Sequence, residues 1–555
     1  IILAVHSLGA QSWQYTVHDA AIFSSPKATD LNGDNYPDII VGTGNENAVS
    51  QNGVLALDGK TGQKLWSYQS DNQIYSSAVF VDVTNDGVPE VFIGGRKALF
   101  FCLNGATGQL VWQFDPLPFG HDTIPLRFNH YTPALVPDQN SDGYPDLVNV
   151  YGGGSTASVP SRPPGFLVLT SGKTGEVLAK DTMPDGRESY SSPLAHDFDG
   201  DGDLEILFGS GEERRGGNLY RTTLSDLLQN DISQTEILAS DSLKGVIAVS
   251  SLADFNADGT LDIACPMLNE KLVVIDGKTG IEIFRFTLPE YEHYTTPVIG
   301  NFTGDGKPDI FCSFQKGVWP FYTEYRFVLV DGSTGLPVWD SAFSYYQLTQ
   351  YVALDSDNDG FDELIFCHNT DTGFATVEYT HQVKLIDFQD DTIKILGPTR
   401  GGLNVFSTPL LSDFDEDGLV EITYAHTLDP SRYYTVDSAQ IEHEELSLSA
   451  ARSIAWGAYL GTDGDGIFRR RFLVPTGLGR DQSDVNLKIF PNPSNGQFYI
   501  KNNGIISSWE ILDIQGKRVA SGKENKVQLR ISPGVYGLRV WVNDVPNFRL
   551  IHIVN

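Results

Sequence analysis

One nine-residue pattern recurs eight times along this chain and constrains its fold more than any other feature. Oxygen-bearing side chains occupy positions 1, 3, 5 and 9, turn residues lie between them, and an apolar run follows. The copies are DLNGDNYPD from Asp30, DVTNDGVPE from Asp82, DQNSDGYPD from Asp138, DFDGDGDLE from Asp197, DFNADGTLD from Asp254, NFTGDGKPD from Asn301, DSDNDGFDE from Asp355 and DFDEDGLVE from Asp413. Successive copies start 47 to 59 residues apart, a period that belongs to repeat architectures. One such loop alone reads equally well as a solvated acidic turn; eight at a regular period do not.

Carboxylates this close repel one another unless a cation sits among them. Alternate positions of a tight loop turn their oxygens inward, and Ca2+ takes six to eight oxygens at about 2.3 to 2.6 Å. In the fourth copy Asp197, Asp199, Asp201 and Glu205 offer carboxylates, and the Asp203 carbonyl adds a fifth donor. The formal net charge is −33; eight divalent ions would leave about −17, so much of the acidity reads as ligand rather than surface. No Lys/Arg cluster with interleaved aromatics is present, which argues against nucleic acid as a partner.

The second copy shows the order of elements within a period. SSAVFVDV (76–83) reads as a strand before the loop and PEVFIGG (89–95) as one after it; KALFFCLNG (97–105) and QLVWQF (109–114) follow. Four short strands with Gly-rich turns per period predict propeller blades. A second motif joins the last two strands: DGKTG from Asp58, NGATG from Asn104, SGKTG from Ser171, DGKTG from Asp276 and DGSTG from Asp331. It reads as a purely structural hairpin that needs positive φ. Trp66, Trp112 and Trp339 follow it and are expected to wedge between blades.

These loops and strands resemble the FG-GAP or VCBS repeats of integrin-type β-propellers, and the DGxTG-to-Trp element is similar to the repeat of eight-bladed quinoprotein-like propellers. Together the resemblances cover roughly residues 13 to 450. They imply up to eight structural Ca2+ sites between the first two strands of each blade. The implied ligands are Asp30, Asn32, Asp34 and Asp38; Asp82, Thr84, Asp86 and Glu90; Asp138, Asn140, Asp142 and Asp146; and Asp197, Asp199, Asp201 and Glu205. The remaining loops imply Asp254, Asn256, Asp258 and Asp262; Asn301, Thr303, Asp305 and Asp309; Asp355, Asp357, Asp359 and Glu363; and Asp413, Asp415, Asp417 and Glu421. Thr84, Asn301 and Thr303 are the weaker donors of the set.

WQYTV from Trp13 reads like a fourth strand, yet it precedes the first loop, while the last copy lacks a DGxTG hairpin. The N-terminal strand is therefore expected to complete the last blade and hide an edge. The fold class expected is all-β: a β-propeller of eight four-stranded blades with N-terminal strand closure, plus a small C-terminal β-sandwich. Residues 1–10 read as the tail of a signal peptide, 11–468 as the propeller, 469–484 as a linker and 485–555 as a separate module. FPNPSNG from Phe490, the DIQG turn from Asp513 and PGVYG from Pro533 resemble the C-terminal sorting domain of the type IX secretion system of Bacteroidota. That resemblance implies export through the outer membrane by the type IX machinery, removal of the module, and release or attachment at the cell surface. Cys102, Cys265, Cys312 and Cys367 lie in apolar runs and read as buried small hydrophobes, and no apolar run is long enough to span a bilayer as a helix.

Two function classes survive. One is a secreted, calcium-stabilised binding or adhesion module for a glycan or protein ligand; the other is an enzyme on the same scaffold, a polysaccharide lyase or hydrolase or a quinoprotein-like dehydrogenase. No catalytic motif stands out, which favours binding. An aromatic-hydroxyl-hydroxyl step precedes most loops: FSSP at Phe23, YSSA at Tyr75, YSSP at Tyr190, YTTP at Tyr294 and FSTP at Phe406, with HYTP at His130 as a variant. Its rings are expected at the mouth of the channel opposite the acidic loops, where aromatic faces beside hydroxyls suit sugars. The alternative is that the rings plug the channel while the hydroxyls cap inner-strand backbone.

Overall fold

The structure, a computed structural model, describes residues 12–116, 119, 128–153, 162–319, 321–343, 346–372, 378–415, 417–429, 438–449, 453–469, 471–472, 488–490, 497–501, 506–512, 518–529, 534–542 and 545–553. The signal-peptide reading at 1–10, most of the linker, and the FPNPSNG and DIQG landmarks largely fall outside the described residues. Contacts divide the chain into two compact units, Ile1–Pro475 and Thr476–Asn555.

In the first unit each period forms four antiparallel strands whose order in the sheet follows their order in the chain. The second period is representative: Val79–Val81, Glu90–Gly94, Phe100–Leu103 and Leu110–Gln113. Equivalent four-strand sets cover residues 27–70, 134–182, 194–241, 251–292, 298–343 and 352–395. The last set joins Leu410–Ser412, Leu419–Thr427 and Ser438–Ser449 to Trp13–His18, which pairs from Trp13 opposite His443 to His18 opposite Ser438. The strand before the first loop thus closes the final set, as its sequence predicts, and the fold is an all-β propeller. These sets are numbered 1 to 8 below.

Burial explains the sequence texture of the strands. Second strands such as Asp38–Gly42 are buried at every position, so both faces are covered and the run is continuously apolar. Fourth strands such as Glu282–Glu292 are largely exposed. Neighbouring sets are pinned by the indoles. Trp13, Trp66 and Trp112 each donate Nε1–H to a hairpin glycine carbonyl of the next set, Gly59, Gly105 and Gly172, at 2.7 to 2.9 Å. The close approach demands glycine: a Cβ on Gly62, where φ is +70°, would come within 2.5 Å of the Trp13 ring. Trp339 donates instead to Asp391 of set 7 at 2.8 Å. All four cysteines are free and buried.

After set 8 the chain continues. Ser453–Trp456 pairs with Val352–Asp355, the inner strand of set 7, and Arg471–Phe472 pairs back onto it. The C-terminal unit, described by itself, has a three-stranded and a four-stranded sheet around Phe498, Ile500, Trp509, Ile511, Val527, Leu538 and Val540.

Candidate functional site

All eight acidic loops share a local scaffold that follows from their sequence. Position 6 has positive φ throughout, from +64° at Asn35 to +96° at Gly360, which glycine and asparagine tolerate. The position-1 oxygen turns back onto that residue's N–H in most copies, as Gly143 N to Asp138 at 2.7 Å and Gly202 N to Asp197 at 3.0 Å. Position 9 accepts from position 2, as Leu31 N to Asp38 at 2.8 Å and Phe414 N to Glu421 at 2.8 Å. The carboxylates are thereby aimed into one small volume between strands 1 and 2.

Four loops bring at least three carboxylates together with their ligand atoms within 4.8 Å of one another: Asp413, Asp415, Asp417 and Glu421; Asp82, Asp86 and Glu90; Asp197, Asp199 and Glu205; and Asp355, Asp357 and Asp359. The strongest is the eighth. Glu421 is 0 % exposed and its Oε1 has no hydrogen-bond partner, as is the case for Asp413 Oδ1. Burial, reinforced by Asp415, Asp413 and Asp417, pushes the Glu421 carboxyl up to about 8. Burial chiefly raises Glu363 likewise to about 8 and Asp413 to about 6. A buried anion without a partner is costly, and a hard cation with oxygen ligands is the chemistry that fits it. Asp201 and Glu363 belong to their loops but lie outside these tight clusters; Asp201 accepts from Asp203 N at 2.8 Å and Glu363 from Ser356 N at 2.6 Å.

The other loops differ at position 3. Asn32 reaches Asp38 at 3.4 Å, Asn140 reaches Asp142 at 3.0 Å, and Asn256 reaches Asp258 at 3.3 Å and Asp262 at 3.4 Å. In loop 2 Thr84 Oγ1 donates to Glu90 at 2.8 Å. In loop 6 Asn301 faces the neighbouring set: its Nδ2 donates to Gly360 O at 2.7 Å and its N–H to Asp362 at 2.6 Å. Asp34, Asp254, Asp305 and Asp309 keep the loop scaffold, with Asp309 accepting from Thr303 N at 2.8 Å. Burial raises Asp38, Asp262 and Asp309 each to about 6 and Asp146 upward.

The DGxTG hairpin also ties down the acidic loop. Asn104 Nδ2 donates to Asp86 at 2.9 Å and Glu90 at 3.1 Å; Ser171 Oγ donates to Asp142 at 3.2 Å; Asp58 and Asp276 accept from Asn32 and Asn256, each at 3.2 Å. In addition, Gly59, Gly172, Gly277 and Gly332 donate N–H to the position-9 carboxylates Asp38, Asp146, Asp262 and Asp309. In sets 1 and 3 the same glycine accepts the neighbour's indole through its carbonyl. One residue therefore joins the acidic loop to the next set. The signal was present in sequence as an Asx or Ser at the first position of all five hairpins.

The aromatic-hydroxyl steps divide their labour. Their hydroxyls bridge inner strands of neighbouring sets: Ser24 Oγ to Ser76 O at 2.8 Å, Ser407 Oγ to Ser24 O at 2.9 Å, Thr408 N to Ser25 Oγ at 2.9 Å, and Ser77 N to Thr132 Oγ1 at 2.9 Å. Their rings, Phe23, Tyr75, Tyr190, Tyr294 and Phe406, are half-buried. Phe23 meets Phe406 with centroids 5.3 Å apart, Phe406 meets Trp319 at 5.9 Å and Trp319 meets Tyr294 at 5.5 Å. Tyr75 meets Tyr131 at 5.8 Å, and Arg162 donates to Tyr190 Oη at 2.7 Å. The hydroxyls of Tyr75, Tyr131 and Tyr294 are buried, Tyr75 and Tyr131 beside each other and Tyr294 beside Tyr322. Trp319 and Arg162 join these rings only through tertiary contacts, whereas Tyr131 belongs to the HYTP step.

Comparison with known proteins follows this division. Residues 30–93 match the FG-GAP-like repeat and residues 488–545 the secretion system C-terminal sorting domain. Protein FAM234B of Gallus gallus is 27 % identical over 357 residues, 59 % of this chain and 54 % of that protein, so the chain spans about half the length of this curated relative. Among solved structures, quinohemoprotein alcohol dehydrogenase from Comamonas testosteroni aligns at TM-score 0.49 and 11 % identity, over 79 % of this chain and 76 % of that one. Exotype rhamnogalacturonan lyase YesX aligns at TM-score 0.47 and 13 % identity, over 77 % and 72 %. No helix among the described residues is long and apolar enough to cross a membrane. The chain thus carries an FG-GAP-like repeat in its propeller and a type IX secretion sorting domain at its C-terminal end, which marks it as a secreted or cell-surface protein.

Proposed function

We propose that this protein is a calcium-stabilised binding module displayed at or released from the cell surface, with its ligand at the aromatic mouth. The eight sets are read as eight blades of one ring. The ions are structural: each occupied loop holds strands 1 and 2 together and, in sets 1 and 3, supports the neighbouring blade's indole contact through the hairpin glycine. The observation that carries the metal reading is Glu421, wholly buried among three aspartates with Oε1 unpartnered. Elemental analysis and calorimetric titration with Ca2+ test it. Protein free of metal that takes up none on titration overturns it.

The ligand reading rests on the half-buried rings of Phe23, Tyr75, Tyr190, Tyr294 and Phe406, with Trp319 between Phe406 and Tyr294. Half-buried aromatic faces beside polar groups suit a carbohydrate. Tyr294→Phe keeps the ring and removes the polar atom. The expected result is an unchanged or slightly raised melting temperature and about tenfold weaker retention on responsive glycans of an array, the loss of roughly one hydrogen bond. Unaltered binding by both Tyr75→Phe and Tyr294→Phe removes the mouth from consideration. Depolymerisation of an array glycan would instead establish the enzyme reading.

A further inference from the structure

The inner strands of the ring are not equally covered. Ser251–Ala253, Val298–Gly300 and Val352–Asp355 of sets 5, 6 and 7 are buried at every position. Lys27–Thr29 and Val79–Val81 of sets 1 and 2 are only half-buried, and Leu135 of set 3 is 41 % exposed. The cover is the chain itself.

After pairing with set 7 along Ser453–Trp456, the backbone moves to set 8, where Leu411 N donates to Gly457 O at 2.8 Å. It then meets set 1, where Lys27 Nζ donates to Tyr459 O at 2.6 Å, and set 4, where Tyr459 Oη lies 3.4 Å from Ser192 Oγ. Finally it reaches set 5: Leu252 N donates to Gly466 O and Phe468 N to Leu252 O, both at 2.8 Å. Trp456 is wholly buried in the core of sets 5 to 7, and Leu460 and Ile467 pack with Leu194 and Leu252. The turn is tied internally by Gly466 N to Leu460 O at 2.8 Å and by Arg469, which spans Asp463 at 3.3 Å and Asp465 at 2.5 Å. A cavity of about 530 Å³ remains between this segment and the less covered sets, lined by Lys27, Phe80, Thr132 and Leu135 on one side and Leu460 and Asp463 of the segment on the other.

A blade of a ring ordinarily touches only its two neighbours. This segment contacts sets 1, 4, 5, 7 and 8 at once, sets 5, 7 and 8 by main-chain bonds on inner-strand edges that ring closure alone leaves unpaired and sets 1 and 4 through Lys27, Ser192 and Tyr459. We infer that the inner edges of the ring are a docking surface whose occupant is this chain's own residues 453–472, an axial latch. The latch stays in the mature protein, so removal of the sorting module cuts on the C-terminal side of Phe472. The processing part of this inference rests on the secretion reading; the latch does not.

The test uses the full chain with one specific protease site inserted between residues 449 and 453. After cutting, the fragment from 453 onward should co-elute with the ring under native conditions. With Trp456→Ala and Gly466→Val in the same chain it should separate, while the uncut double variant melts several degrees lower. Release of the fragment from the otherwise wild-type cut protein overturns the latch. Retention after the double substitution overturns it too, since some other contact then holds the fragment. Intact mass of protein secreted by a host with type IX export should place the mature end at or beyond 472. An end before 453 on a folded ring counts against the latch, whereas a module still attached counts against the secretion reading alone.

Discussion

Loops 413–421 and 301–309 are written in the same pattern and occupy the same place in their sets, yet their chemistry is opposite. The first gathers Asp413, Asp415, Asp417 and Glu421 within 4.8 Å and leaves Glu421 Oε1 buried without a partner. The second begins with Asn301, whose amide and N–H are committed to Gly360 and Asp362 of the adjoining set. A repeated motif thus supplies a loop geometry, while the number of carboxylates and the neighbour's demands decide whether that loop needs a cation. Loop 8 gathers four carboxylates that could hold a cation; loop 6 keeps the loop scaffold through Gly306 N to Asn301 Oδ1 while its Asn301 also ties to the adjoining set.

The broadest way to break this contrast is to remove divalent cations altogether. Each occupied site contributes RT ln(1 + [L]/Kd), about 2.7 kcal/mol at hundredfold excess over Kd. Chelation should therefore lower the melting temperature more than any single substitution, and restoring Ca2+ should recover it. Unchanged melting in EDTA would erase the distinction between the two loops.

Next in size is Asp413→Asn set against Asp305→Asn. In Ca2+ the first should cost about 1 to 3 kcal/mol through a weakened site, the second less than about 0.5 kcal/mol. In EDTA the sign should reverse for Asp413→Asn, because removing one of four crowded charges relieves repulsion. Equal effects of the two variants in Ca2+ by thermal denaturation would show that loop identity does not matter.

The pH dependence sharpens the same point. Glu421 and Glu363 are raised from 4.5 to about 8 by burial first and neighbouring acids second. A carboxyl whose folded pKa lies above its unfolded value favours the fold when protonated, so metal-free protein should lose stability as pH rises from about 4.5 to 8. With Ca2+ bound the deprotonated form is the ligand, and stability should rise across that window. Parallel melting curves against pH with and without Ca2+ would contradict this.

The smallest expected effect is at the hairpin. Asn104→Ala removes two hydrogen bonds to Asp86 and Glu90 and should cost about 1 kcal/mol, with a modest loss of Ca2+ affinity on calorimetric titration. A neutral change would return the hairpin to a purely structural role.

Much of this was legible in the chain. The loops and the short strands depend on residues a few positions apart, the indole wedges showed as a tryptophan recurring after the DGxTG hairpin, and Trp13 betrayed closure because it stood where a fourth strand's tryptophan stands. The role of Asn104 and its counterparts was visible only as a recurrent oxygen, since its partners Asp86 and Glu90 lie across a hairpin. The hydroxyl steps were read with two alternatives, and the bonds that the Ser24, Ser407 and Ser25 hydroxyls make to main-chain groups of neighbouring sets favour the backbone-capping one for the hydroxyls.

What the sequence determined by itself is the repeat: turn chemistry, alternation of acid and glycine, and strand length are local, so each period folds alike wherever it stands. Which loops hold unbalanced charge, where the aromatic rings meet and what fills the channel were decided only in three dimensions. The 453–468 stretch shows why. Its partners Lys27, Ser192, Leu252, Ala353 and Leu411 come from five different sets and converge only because the ring curves back on itself. Pairing of main chain to main chain, as with Leu252, Ala353 and Leu411, leaves no side-chain signature of its partner, so no local pattern could announce it.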